Sequence, residues 1–268
     1  WGLSALATAA DFTGRVVSEG RGVVGATLRA VPYETRHATA LREARGGPNL
    51  SAIATTSTSA EGRFRLAVPE TAPPFVVLVT FGGLAARTVD GVFEKSDSED
   101  LGEISLARGE TVSGRVVDGN GKPVQGALVR LGRDGAPVAT NKEGLFRFDD
   151  VEGRGSQPFQ AQAVLSVHAA GFGVQAVSAR FSGSPATVRL QASTRRLFGV
   201  LRDWNGKPAQ EAVIRVSGGA VTRWIRTDAA GRFEIPGAPS KQARLQALGR
   251  DGSSLETTVT VGPNPLIL

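Results

Sequence analysis

The 268-residue chain has no cysteine, which excludes a disulfide framework, a thiolate metal ligand and a thiol nucleophile. Hydrophobic residues make up 41%, enough to build packed cores, so global disorder is excluded as well. The net charge is +6, and no run approaches the ~20 apolar residues that span a bilayer.

Composition favours short strands separated by turns, with 34 Gly and 14 Pro among many Val, Thr, Arg and Ala. Residues 1–10, from Trp1 to Ala10, form an apolar segment rich in small residues. Ala7-Thr8-Ala9 has the small-x-small form of a cleavage site, so the segment reads as the end of a signal peptide or anchor, or as the last turns of a preceding helix. Met is absent even at position 1, so a processed product or an excised piece is expected. An extracytoplasmic location (secreted, periplasmic or cell surface) follows as the expectation.

From Asp11 onward one pattern occurs three times. The segments Thr13-Gly14-Arg15-Val16-Val17, Ser113-Gly114-Arg115-Val116-Val117 and Phe198-Gly199-Val200-Leu201 each open a copy. A turn follows, plainest in Asp118-Gly-Asn-Gly-Lys-Pro123 and Asp203-Trp-Asn-Gly-Lys-Pro208. The next strand starts at Gly25-Ala26, Gly126-Ala127 and Glu211-Ala212, where Glu211 departs from the Gly of the other two copies. A second signature runs Thr58 to Phe64, Thr140 to Phe146 and Thr227 to Phe233, with Gly62, Gly144 and Gly231 before the strand.

Alternation sets the faces. Ala127, Val129 and Leu131 are apolar with Arg130 between them, Phe146 and Phe148 flank Arg147, and Phe64, Leu66 and Val68 alternate with Arg65. Period two marks a half-buried strand. Arg130, Arg147 and Arg232 are therefore expected on solvated outer faces. The three glycines are expected at positive φ, which a tight turn requires and Gly adopts without a Cβ clash. Asn141 and Asp228 are placed to bond the turn backbone two residues on. Later strands are expected at Val77–Gly82, Leu165–Phe172 and Leu245–Gly249, and each copy ends on Ile104-Ser-Leu106, Val188-Arg-Leu190 or Leu266-Ile-Leu268.

The set Ser113-Gly-Arg-Val, Gly121-Lys-Pro-Val-Gln-Gly-Ala, Thr140 to Phe146 and Val167-His-Ala-Ala-Gly-Phe172 resembles the carboxypeptidase regulatory-like family, a prealbumin-like (transthyretin-like) fold related to CNA-B modules. The resemblance implies an all-β chain of three tandem seven-stranded β-sandwich modules. It also implies modules that accompany a peptidase domain, an outer-membrane receptor or a cell-surface array and seldom catalyse. Related CNA-B modules carry Lys–Asn crosslinks; here Arg15 and Arg115 stand on the early strands, so no crosslink is expected.

The boundaries read as an N-terminal segment 1–10, then modules at 11–108, 110–193 and 195–268. Short linkers predict a semi-rigid rod. In the first module Gly14 and Gly62 lie 48 positions apart, against 30 and 32 for the equivalent pairs, so a loop or short helix is inserted within 33–54.

The chemistry-bearing residues are sparse. His37 and His168 fall in different modules without metal-ligand spacing, and no Gly-x-Ser-x-Gly elbow occurs. No cofactor, metal or catalytic residue is expected, and His168 reads as a strand residue. Asp118, Asp149-Asp150 and the run Glu94 to Asp100 offer oxygen ligands without an EF-hand pattern, and plain turns explain them equally.

Net charges are −2 for residues 1–110, +3 for 111–193 and +5 for 194–268. The basic far end could meet acidic polysaccharide, lipid headgroups or nucleic acid, although arginines on solvated outer faces of strands explain the charge as well, and protein partners in a larger assembly are expected besides. Nucleic acid is disfavoured because no aromatic pattern interleaves the arginines. Two contact surfaces are expected: the insert, with Tyr33, Arg36, His37, Arg42 and Arg45, and the third module's turn, with Arg202, Trp204 and Lys207. Packing back onto its own module is the first expectation for Trp204. The readings are a non-catalytic spacer or interaction segment of an exported bacterial protein, glycan-binding modules, or accessory domains of a peptidase.

Overall fold

A computed structural model describes residues 9–94, 98–132, 135–153, 162–217, 220, 222–238 and 242–268. The first set of elements is β1 (Ala9–Ser18), β2 (Arg21–Gly22), β3 (Thr27–Pro32), α1 (Arg36–Ala44), β4 (Ala54–Ser57), β5 (Arg63–Pro69), β6 (Phe75–Phe81), β7 (Leu84–Thr88) and β8 (Glu99–Ser105). One sheet runs β2-β1-β5 with β8 parallel on β1, and the other runs β4-β3-β6-β7. The second set is β9 (Gly109–Val117), β10 (Leu128–Leu131), β11 (Pro137–Ala139), β12 (Leu145–Glu152), β13 (Gln162–His168), β14 (Gln175–Arg180) and β15 (Ala186–Arg189). Its sheets are β12-β9-β15 and β11-β10-β13-β14. The third set is β16 (Arg196–Val200), β17 (Val213–Ser217), β18 (Ile225–Arg226), β19 (Arg232–Pro236), β20 (Gln242–Leu248), β21 (Ser254–Thr260) and β22 (Leu266–Ile267), in sheets β19-β16-β22 and β18-β17-β20-β21.

The strand order is the same in all three sets, apart from the added β2. The fold is all-β, with two-layer sandwiches. In the first, Phe12 and Val16 of β1 and Leu66 of β5 meet Leu28 of β3 and Val77 of β6 in one core. Phe12 and Phe75 cross edge to face at 5.3 Å. In the third, Leu197 and Ile235 pack against Ile214 and Leu245. These are the alternate positions that period two assigns inward.

Contacts divide the chain into two compact units. The first takes the chain through Tyr33, Asn49–Thr111 and a short stretch from Asp149; the second takes Glu34–Pro48, Val112–Phe148 and the remainder to Leu268. Although α1 follows β3 in the chain, it belongs to the second unit.

The two halves of the repeat signature are neighbours in space. Gly14 stands opposite Phe64, and Gly199 opposite Phe233. A Cβ on Gly114 would lie 2.6 Å from the Phe146 ring and 2.2 Å from the Ala186 carbonyl oxygen, so the glycine makes room for the inward ring. Gly144 and Gly231 have φ of 75° and 71°, as the turn pattern predicts. Each would place a Cβ 2.4 Å from a carbonyl oxygen, that of Val116 or Leu201. The threonine of the signature is buried. Thr140 Oγ1 donates to the Val124 carbonyl at 2.6 Å and accepts from the Ala127 amide at 2.9 Å, and Thr58 makes the same pair of bonds. That hydroxyl fixes the start of β3 or β10, a role the sequence pattern does not reveal. Asn141 and Asp228 bond the turn amides as expected.

Candidate functional site

The insert between β3 and β4 contains the nine-residue helix α1. Thr35 caps it, its Oγ1 accepting the Ala38 amide at 3.2 Å, and Gly46 closes it with φ of 66°. Ala40 is buried, and Leu41 and Ala44 lie beside it on the same face. This face packs on Val213, Trp224 and Leu248, the outer side of the β17 sheet. Polar contacts surround it. Arg45 pairs with Glu211, Glu43 pairs with Arg130, and His37 Nε2 lies 2.9 Å from the Glu211 carbonyl oxygen.

Glu211 is the residue that organises this contact. Its φ is 54°, the left-handed conformation that Gly25 and Gly126 adopt at the equivalent place. A non-glycine residue there costs about 1–2 kcal/mol. The carboxylate receives Arg45 and, at 3.5 Å, Arg226, and the carbonyl faces His37. The departure from Gly in the third copy was the signal for this role, and only the fold shows what it holds.

Among the expected contact residues, His37, Arg42 and Arg45 are committed within the second unit. Arg42 pairs with Glu34 at 3.0 Å and donates to the Pro48 carbonyl at 3.2 Å. Arg36 is exposed at the helix start, and Tyr33 is 48% exposed at the end of β3. Arg202, Trp204 and Lys207 sit together in the β16–β17 turn.

Two expectations are corrected. Trp204 does not pack back onto its sandwich; it is 84% exposed, standing at the tip of a turn closed by the Asp203–Lys207 and Gly206–Asp203 backbone bonds. Arg130 is not on a solvated face. It is 5% exposed, because Glu43 of α1 covers it and its guanidinium also donates to the Gly135 carbonyl. Arg147 and Arg232 are exposed as alternation predicts.

The oxygen-ligand candidates serve the backbone. Asp118 Oδ1 accepts from Asn120 and Lys122 amides, and Asp150 Oδ1 from the Gly83 amide at 2.8 Å. Residues 95–97 of the acidic run lie outside the described residues, as do Ala7 and Thr8 of the small-x-small segment. Among the described residues, no group of three or more His, Asp or Glu is placed to hold a metal, and no helix is long and apolar enough to cross a membrane. His168 lies on β13, buried; burial first, and then the Arg223 charge, hold its pKa below the usual value.

No family model and no curated protein matches the chain. Among solved structures, a Streptococcal ancillary pilin is similar at 13% identity over 97% of this chain and 98% of that one, with a TM-score of 0.25. The shaft pilin SpaA from Lactobacillus rhamnosus GG is similar at 10% identity, covering 69% of this chain and 98% of its own, with a TM-score of 0.30. The minor pilin GBS52 of Streptococcus agalactiae is similar at 14% identity over 69% and 96%, with a TM-score of 0.26. Such scores define no common superposition, so the sandwich fold rests on the strand order and cores described above.

Proposed function

We propose that the chain is a non-catalytic structural and interaction segment of an exported bacterial surface or secreted protein, built of three tandem sandwich modules at about 11–108, 110–193 and 195–268. The observation that supports this reading is the docking of α1. The insert is the segment freest to become a binding loop, yet its apolar face packs on Val213, Trp224 and Leu248, and its His37 and Arg45 are held at Glu211. Backbone strain is tolerated at Glu211 to keep it there. Side chains able to do chemistry are used in the same way: Thr58, Thr140, Asp118 and Asp203 hold turns and strand starts. A chain that invests its polar groups in fixing its own backbone is suited to bearing or spacing.

The test is mechanical unfolding of the whole chain held by its ends. Three separate events are expected, each releasing about 25–35 nm at ~3.5 Å per residue. A single event would refute the three-module reading. Hydrolytic turnover of peptide, ester or glycoside substrates that disappears on His168→Ala substitution would refute the non-catalytic reading.

A further inference from the structure

The turns Asp118–Pro123 and Asp203–Pro208 differ at one position, Gly119 against Trp204. Their backbones are otherwise held alike. Asp118 Oδ1 accepts two amides at 2.9 Å, and so does Asp203 Oδ1. The amide of each Asp donates to the carbonyl of the Lys four residues on, at 2.9 and 2.8 Å. The φ of Gly121 is 84° and that of Gly206 is 77°. A Cβ at Gly119 would meet only Gln191 Oε1, at 3.6 Å. The position therefore takes any side chain, and folding of the turn does not call for an indole. At 84% exposure the indole stands on a turn held by its own backbone bonds, with its ring open to a ligand.

We propose that Trp204 is the stacking platform of a binding site for an anionic polysaccharide bearing uronic acid residues, with Lys207 receiving the carboxylate. The indole offers a flat apolar face, which suits the C–H face of a sugar ring. Lys207 is exposed and makes no ion pair with any described residue. The acid beside it, Asp203, turns its carboxylate onto the amides of Asn205 and Lys207. Arg202 braces the turn, donating to the Gly206 carbonyl at 2.8 Å, and adds positive charge. Residues 194–268 carry +5, which attracts a polyanion. The other side chains of the turn tip, those of Asp203, Asn205 and Lys207, are polar, whereas a stable protein interface needs several apolar residues over roughly 800 Å² per partner. A single ring among polar groups fits a sugar better. This site goes beyond the structural role and is independent of it.

The experiment measures binding of the full chain to polygalacturonate, to dextran as a neutral glycan, and to phosphatidylglycerol vesicles. Polygalacturonate should bind in preference to dextran and vesicles. Trp204→Gly, which copies the natural Gly119 turn, should weaken binding about tenfold or more with an unchanged melting temperature. Lys207→Gln should weaken it about threefold and reduce its salt dependence. Gly119→Trp should add a second site. Unchanged affinity in Trp204→Gly, equal binding to dextran, binding to vesicles alone, or no binding to polygalacturonate would each overturn the proposal.

Discussion

Arg29, Arg130 and Arg215 occupy the same position in the three sets of strands, three residues after Ala26, Ala127 and Ala212, yet only Arg29 is exposed. Arg130 is 5% exposed against Glu43, and Arg215 is 4% exposed, stacked 4.3 Å over Trp224 and bonded to Gln246 at 3.0 Å. The strands differ accordingly. Along β3 buried and exposed residues alternate, whereas Val213, Ile214, Arg215 and Val216 of β17 are all buried. Alternation decides which side chains face the core; it does not decide what lies on the other side of the sheet. Around Arg130 and Arg215 the outer layer is supplied by α1 and Trp224, so residues placed outward become a second, smaller interior.

The largest effect should come from removing that layer. Trp224→Ala should destabilise the second unit by about 3–4 kcal/mol in denaturant unfolding, since it deletes both the seat of Ala40 and the ring under Arg215. A cost near that of a surface substitution would mean that α1 does not depend on this seat. Next, Gly62→Ala and Gly231→Ala should each cost about 3 kcal/mol. Both combine positive φ with a carbonyl oxygen within 2.4 Å of the added Cβ, so unequal costs would break the equivalence of the two turns.

The arginine comparison itself predicts a smaller, graded effect. Arg130→Ala should cost about 2 kcal/mol, with a coupling of about 1–2 kcal/mol to Glu43→Ala in a double-mutant cycle. Arg29→Ala should change stability by less than about 0.5 kcal/mol. Similar costs for Arg29 and Arg130 would remove the distinction between a covered and an open outer face.

The smallest effect is in pH. The pKa of His168 in the fold is depressed below its ordinary 6.5, so below that pH the unfolded chain takes up the proton first. Stability should be full above about pH 6.5 and fall as the pH drops beneath it, until the pH passes below the folded value. His168→Gln should flatten that slope, and an unaltered slope would show that His168 is not its source.

Much of the sandwich was legible in the sequence. The φ of Gly144 and Gly231, the inward Phe146 and Phe233, and the amide bonds of Asn141 and Asp228 all follow from turn chemistry and period two, which depend on a few consecutive residues. The insert was visible as extra length between Gly14 and Gly62, and the departure at Glu211 was visible as a missing glycine. The two were not visibly connected, because His37 and Glu211 are 174 residues apart and no local pattern carries that distance.

The sequence by itself therefore determined the strands, their inward faces and the turns that join them. Tertiary structure decided which outward faces are covered: it buried Arg130 and Arg215, committed His37 and Arg45, and left Trp204 in solvent. The physical reason is that backbone conformation and alternation are set by neighbours in the chain. Burial of an outward side chain depends on a segment arriving from elsewhere, and the free energy of that arrival is shared between residues that the sequence keeps far apart.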